Sequence, residues 1–197
     1  MILDYKTAKK DFLAAKIKGC KWFFETHNNK LEQAYCEIVF DNLKKAREIL
    51  LKLEKEDIRA HWGLVMLEFI KGEVSRYPTY FELRNFLETD LNILIMYCKG
   101  DYVEKIVRYA DFMFTINPEV YKSIGRVFLT NGFKPQAMFF LKRAKDRFYQ
   151  DPELHFILAQ VYEQDGDIEL CRKALNTCLS VLPNYAPAVA LMEKINK

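Results

Sequence analysis

From residue 118 onward, apolar side chains recur every three or four positions, the spacing that lines one face of an α-helix. Tyr121, Ile124, Gly125 and Phe128 form one such run, and Ala137, Leu141 and Ala144 the next. His155, Leu158, Ala159 and Tyr162, followed by Cys171, Leu175 and Cys178, repeat the pattern. Setting Pro118 on Pro152 superposes the two copies and places Gly132 on Gly166. Each copy therefore predicts two helices. The glycines fall where a helix ends in left-handed backbone, and Asn117-Pro118 and Asp151-Pro152 fall where the following helix opens. Asn131-Gly132 also fits a hairpin turn, but its flanks have period 3.6 rather than 2, which favours a helix end.

Upstream the rhythm weakens. Gly100-Asp101-Tyr102 reads as the start of a helix running through Tyr109 and Phe112 to Asn117, with Leu91, Leu94 and Ile95 on the helix before it. This third copy falls one residue out of phase and sets Lys105 near a small-residue slot. Residues 41–53 read as a second helix of a pair, and 61–70, with Trp62, Val65, Met66 and Phe69, as the first helix of the next. Gly72 and Pro78 bracket a link before a helix at 80–87. Residues 5–27 carry Phe12, Leu13, Ile17, Trp22, Phe23 and Phe24 among lysines that include Lys18, and Gly19 interrupts them. Residues 185–196, from Tyr185 through Ala188, Leu191 and Ile195, read as a capping helix. The expectation is eleven or twelve helices.

The pattern resembles the tetratricopeptide repeat, which pairs W-x2-L-G-x2-Y with A-x3-F and a closing proline over about 34 residues. The corresponding residues are Tyr121-x2-Ile124-Gly125-x2-Phe128 with Ala137-x3-Leu141, then His155-x2-Leu158-Ala159-x2-Tyr162 with Cys171-x3-Leu175 and Pro183. Tyr121 and His155 in the tryptophan slot, cysteines in small-residue slots, and Tyr149 for the first closing proline depart from the signature. The resemblance implies an all-α, right-handed α-solenoid of stacked antiparallel helix pairs. It would form a single domain over 1–197, with an N-terminal amphipathic helix (1–30), degenerate repeats (31–117), two clear repeats (118–184) and a capping helix (185–197). It also implies a concave groove lined by the first helix of each pair. In that groove Glu119, Lys122, Arg126 and Thr130 would face a partner from one repeat, and Glu153, Phe156, Gln160 and Glu163 from the next, joined by Tyr97. Some members of the family hold a chaperone's C-terminal carboxylate through lysine and asparagine. Here Lys122 matches one such lysine, but Arg126 replaces the asparagine and the next helix offers Phe156, Ile157 and Gln160, so that clamp is not expected. Phe156 instead suits an apolar anchor on a protein or peptide partner. The same exposed residues also read as plain solubilising surface.

Composition agrees with helices. Half of the 197 residues are apolar, which argues against disorder, and 7 Gly with 6 Pro leave little material for the many turns of an all-β fold. The net charge of +3 is mild, but residues 1–30 carry +4 and residues 118–150 carry +5. The basic face at 134–147, with Lys142, Arg143, Lys145 and Arg147, reads either as a solvated face or as a nucleic-acid surface, the latter being the alternative function. The N-terminal helix, aromatic on one side and basic on the other, fits docking in the fold or, less well, a membrane surface.

Candidate chemistry is sparse. His27, His61 and His155 are too far apart for a helical zinc pair, and His155 fits a packed aromatic slot. Asp165-Gly166-Asp167-x-Glu169 has the alternation of a calcium loop but carries Leu170 for its glycine and Asn176 for its final glutamate. No phosphate-binding glycine loop or nucleophile elbow occurs, so no catalytic residue, metal or cofactor is expected. Cys171 and Cys178 lie two helical turns apart, roughly 10 Å, too far for a disulfide, and read as core fillers. Five scattered cysteines and the absence of a leader pattern in Met1-Ile2-Leu3-Asp4-Tyr5-Lys6 point to a reducing, cytoplasmic setting. Nothing in the sequence selects an oligomeric state.

Overall fold

The computed structural model of the chain describes residues 4–16 and 19–196. Ile17 and Lys18, read above within the N-terminal helix, and Met1-Ile2-Leu3, read for a leader, lie outside the described residues. Among the described residues every regular element is an α-helix. In chain order these are α1 (Tyr5–Leu13), α2 (Cys20–Thr26), α3 (Lys30–Val39), α4 (Leu43–Leu53), α5 (Ile58–Lys71), α6 (Tyr80–Asn85), α7 (Leu87–Met96), α8 (Gly100–Val107), α9 (Ala110–Ile116), α10 (Val120–Thr130), α11 (Lys134–Arg147), α12 (Pro152–Gln164), α13 (Ile168–Val181) and α14 (Ala186–Ile195).

The fourteen helices among the described residues exceed the eleven or twelve expected because three breaks carry weak sequence signals. Gly19 at φ 93° parts α1 from α2, and Phe86 parts α6 from α7. The helix expected to run on to Asn117 instead stops at Val107 and restarts at Ala110. That break coincides with Tyr109, whose ring stacks on Phe69 of α5 at 4.4 Å between centroids.

The period that carries Pro118 onto Pro152 is present in the backbone three times. Helices α7, α10 and α12 end at Met96, Thr130 and Gln164, and α8, α11 and α13 begin at Gly100, Lys134 and Ile168, each series advancing by that same step. At the turns between them Cys98, Gly132 and Gly166 take φ of 58°, 81° and 73°. Each turn closes with the same pair of bonds: Lys99 N to Leu94 O at 2.8 Å, Phe133 N to Phe128 O at 2.8 Å and Asp167 N to Tyr162 O at 2.9 Å, each beside a shorter-range bond from the left-handed residue. The copy that the sequence sets one residue out of phase is therefore in register. Its Leu87, Leu91, Leu94, Val103 and Ala110 are buried at the repeat's apolar slots.

Backbone contacts gather the chain into two compact units, residues 1–127 and 128–197. The first is built around α5, which packs on α3, α4, α6 and α8. Trp62 through Ile70 are all buried, so α5 is enclosed on every side and apolar there except at Glu68. In the second unit α12 packs most extensively on α13, with α11 against α12 and α14 against α13. Leu141, Leu154, Leu158, Leu175 and Ala188 close its core together with Cys171 and Cys178.

Candidate interaction site

In the second unit α12 begins on a firm cap. The Asp151 carboxylate accepts the Leu154 N–H at 3.1 Å, and Pro152 takes a first-turn position where no N–H is needed. Leu154, His155, Ile157, Leu158, Ala159 and Val161 turn inward. That leaves Phe156, Gln160 and Glu163, spaced four and three apart, on another face. This face meets α14: the Phe156 ring stands edge-on to Tyr185 at 5.4 Å, and Lys194 Nζ lies 2.7 Å from Glu163 Oε1. Between the two helices opens a cleft of about 340 Å³, lined by Phe156, Gln160, Glu163 and Gln164 from α12 and by Pro187, Ala190, Leu191 and Lys194 from α14. It combines an apolar wall with two side-chain amides and an ion pair. Such a lining accepts an apolar side chain and hydrogen-bonds the groups flanking it.

Tyr97, Lys122 and Arg126, also expected to face a partner, lie in the first unit and are engaged there. Tyr97 follows α7; its hydroxyl donates to the Phe12 carbonyl at 3.0 Å and its ring lies 5.5 Å from that of Phe12, fastening α1. Burial pushes its phenol pKa up. Tyr97, expected at a groove position, is thus half-buried and ties α7 to α1. Lys122 keeps only 12% of its side chain exposed and sits 3.8 Å from Glu119 Oε1. Arg126 donates twice to Glu88 Oε1, from Nε at 3.2 Å and Nη2 at 2.9 Å.

His155 is buried as a packing residue: Nε2 donates to the Tyr149 carbonyl at 2.6 Å, which fixes the proton on that nitrogen. Cys171 and Cys178 are unpaired and buried, and burial raises both thiols, which keeps them neutral. Among the described residues no cluster of three or more His, Cys, Asp or Glu is placed to hold a metal ion, and no helix is long and apolar enough to cross a membrane.

Four buried carboxylates in the first unit are almost silent in the sequence. Glu37 lies beside Lys21 at 2.9 Å, Asn42 at 2.7 Å and Lys45 at 2.6 Å. Glu68 accepts from the Ser75 and Arg76 N–H groups, each at 2.8 Å, and from the Ser75 hydroxyl at 2.7 Å. Burial alone would raise both acids, but these bonds outweigh it and lower each to about 2. Glu82 closes a capping box with Thr79 and faces His61 Nδ1 at 2.6 Å. Asp90 accepts from Arg59 Nη2 at 2.5 Å and Trp62 Nε1 at 2.7 Å. Only Glu82 carries a local signal, the Thr79-x-x-Glu82 spacing just after Pro78. These groups brace helices.

Compared with family models, curated proteins and solved structures, the chain matches none. The reading of its function therefore rests on its own geometry.

Proposed function

We propose that the chain is a non-catalytic scaffold that binds a segment of a protein partner along the first-helix faces of a right-handed solenoid of stacked helix pairs, similar to tetratricopeptide-repeat proteins. The observation that carries this reading is the α12–α14 cleft. Three of the residues expected to face a partner, Phe156, Gln160 and Glu163, line it together. The recurrence of helix ends at Met96, Thr130 and Gln164 supports the repeat architecture. In this reading the partner's apolar anchor packs on Phe156 and Leu191, while Gln160 and the Glu163–Lys194 pair fix its orientation through hydrogen bonds. Five unpaired cysteines favour a reducing, cytoplasmic compartment.

The test is selection of displayed peptides on the full chain, followed by titration of a selected peptide against Phe156→Ala and Gln160→Ala. Loss of about tenfold or more for Phe156→Ala, with helicity retained, is expected. Unaltered affinity in both variants would remove the groove from the mechanism.

A further inference from the structure

A second surface in residues 128–197 has a different chemistry from the cleft. We propose that Tyr149 and the outward side of α13 form a binding site for single-stranded nucleic acid, continued by the basic end of α11.

A recess of about 390 Å³ lies between Tyr149 and one side of α13, with Arg172, Lys173, Asn176, Thr177 and Ser180 around it and Glu169 at its edge. The Arg172 Nε is buried and makes no hydrogen bond. Lys173, Lys142 and Lys145 make no ion pair among the described residues. The charge imbalance is pronounced. Helix α11 carries Lys142, Arg143, Lys145 and Arg147 against Asp146, its Lys134 being paired with Asp165, and α13 carries Arg172 and Lys173 against Glu169.

Charge by itself would suit any polyanion; the aromatic rings select among them. Tyr149 is 63% exposed and Phe139 is 57% exposed, far more than packing requires. Tyr149 is nonetheless held: its carbonyl takes the His155 Nε2–H, and its ring meets the His155 ring at 5.3 Å, near perpendicular. Its outer face is thus fixed and unused, a ready stacking platform. On α11 the Arg143 guanidinium already lies over the Phe139 ring at 5.4 Å, the kind of cation–π layer that a base extends. An acidic peptide has no use for two open ring faces, and a duplex keeps its bases stacked on each other. An unstacked single strand uses the rings through its bases and the cations through its phosphates. The Asn176 amide and the Thr177 and Ser180 hydroxyls supply bonds to sugar or base edges.

The test uses the full chain and a fluorescein-labelled oligouridylate, followed by fluorescence anisotropy. Binding is expected to weaken steeply between about 50 and about 200 mM salt. Tyr149→Ala should lose about tenfold in affinity while Tyr149→Trp keeps it. Arg172→Ala and Lys173→Ala should each lower the salt slope by about one unit. The Tyr149→Ala backbone retains the carbonyl that His155 uses, and far-ultraviolet circular dichroism checks that every variant is folded. The proposal is overturned if oligouridylate fails to bind at low salt, or if folded Tyr149→Ala binds as well as the parent. It is equally overturned if labelled polyglutamate binds as tightly as oligouridylate, which would assign the surface to an acidic protein.

Discussion

Cys98 stands one repeat step before Gly132 and holds the same left-handed backbone, φ 58° against 81°. For an L-residue with a Cβ this conformation costs roughly 1–2 kcal/mol, a cost glycine avoids. Cys98 is exposed, so replacing it removes little packing. Cys98→Gly should raise stability by about 1 kcal/mol, seen as a higher urea midpoint at unchanged slope. Gly132→Ala should lower it by about as much, through backbone strain alone, since an added Cβ would meet nothing within 4 Å. Asp41 shares the conformation at φ 66°, but its carboxylate holds the Tyr102 hydroxyl at 2.8 Å and pairs with Lys99, so the side chain offsets the strain there.

Asp90 and Arg59 form a pair enclosed by aromatic rings. Asp90 is 2% exposed, and the Arg59 guanidinium lies over the rings of Tyr35 and Phe86 at 4.7 and 4.4 Å. Removing one partner strands a buried charge. Asp90→Ala should cost about 3–5 kcal/mol, whereas the joint change Arg59→Met with Asp90→Leu should recover much of that loss. Urea unfolding of the two single variants and the double variant closes the cycle.

Acid should unfold the first unit through Glu37 and Glu68. Both are lowered from an ordinary 4.5 to about 2, by hydrogen bonds and ion pairs that overcome burial. A depressed carboxyl stabilises the fold fully above its unfolded value, and that contribution disappears as pH falls through the folded one. Stability should therefore decline between about pH 4.5 and about pH 2, by at most about 3 kcal/mol for each group and by less where solvent screens its partners. Glu68→Gln should flatten its share of the slope in equilibrium unfolding measured across that window.

Gly63 marks a close approach of α5 to Leu50 and Tyr35. A Cβ there would lie 2.9 Å from Leu50 Cδ1 and 3.4 Å from the Tyr35 hydroxyl, which itself donates to the Arg59 carbonyl at 2.9 Å. Gly63→Ala should destabilise by about 1–3 kcal/mol despite alanine's better helix propensity. Pairing it with Leu50→Ala should relieve part of the clash, which thermal unfolding of the double variant would reveal.

The helices of residues 118–196 are legible because each keeps its own apolar rhythm and its own glycine or proline punctuation. Where punctuation is borrowed from other residues, legibility falls. Ala15, Asn28, Asp41 and Cys98 take left-handed backbone without a glycine to announce it, and Cys98 obscures the register of the third copy for that reason. Three of the nine residues expected to face a partner come together in one cleft, because Phe156, Gln160 and Glu163 share one helix and periodicity alone puts them on one face. Tyr97 reads as a groove residue from its place at the end of a repeat's first helix, yet its hydroxyl is taken by Phe12, far earlier in the chain.

The sequence by itself determined the helical class, the repeat step and the inward and outward faces of α10 to α13, since these depend on interactions within a few residues along the chain. Only the tertiary structure decided which carboxylates are enclosed, that Tyr97 binds α1, and that Tyr149 shares a recess with Arg172 and Lys173. Those outcomes depend on desolvation and hydrogen bonding between segments distant in the chain, whose partners are fixed only once the helices have packed.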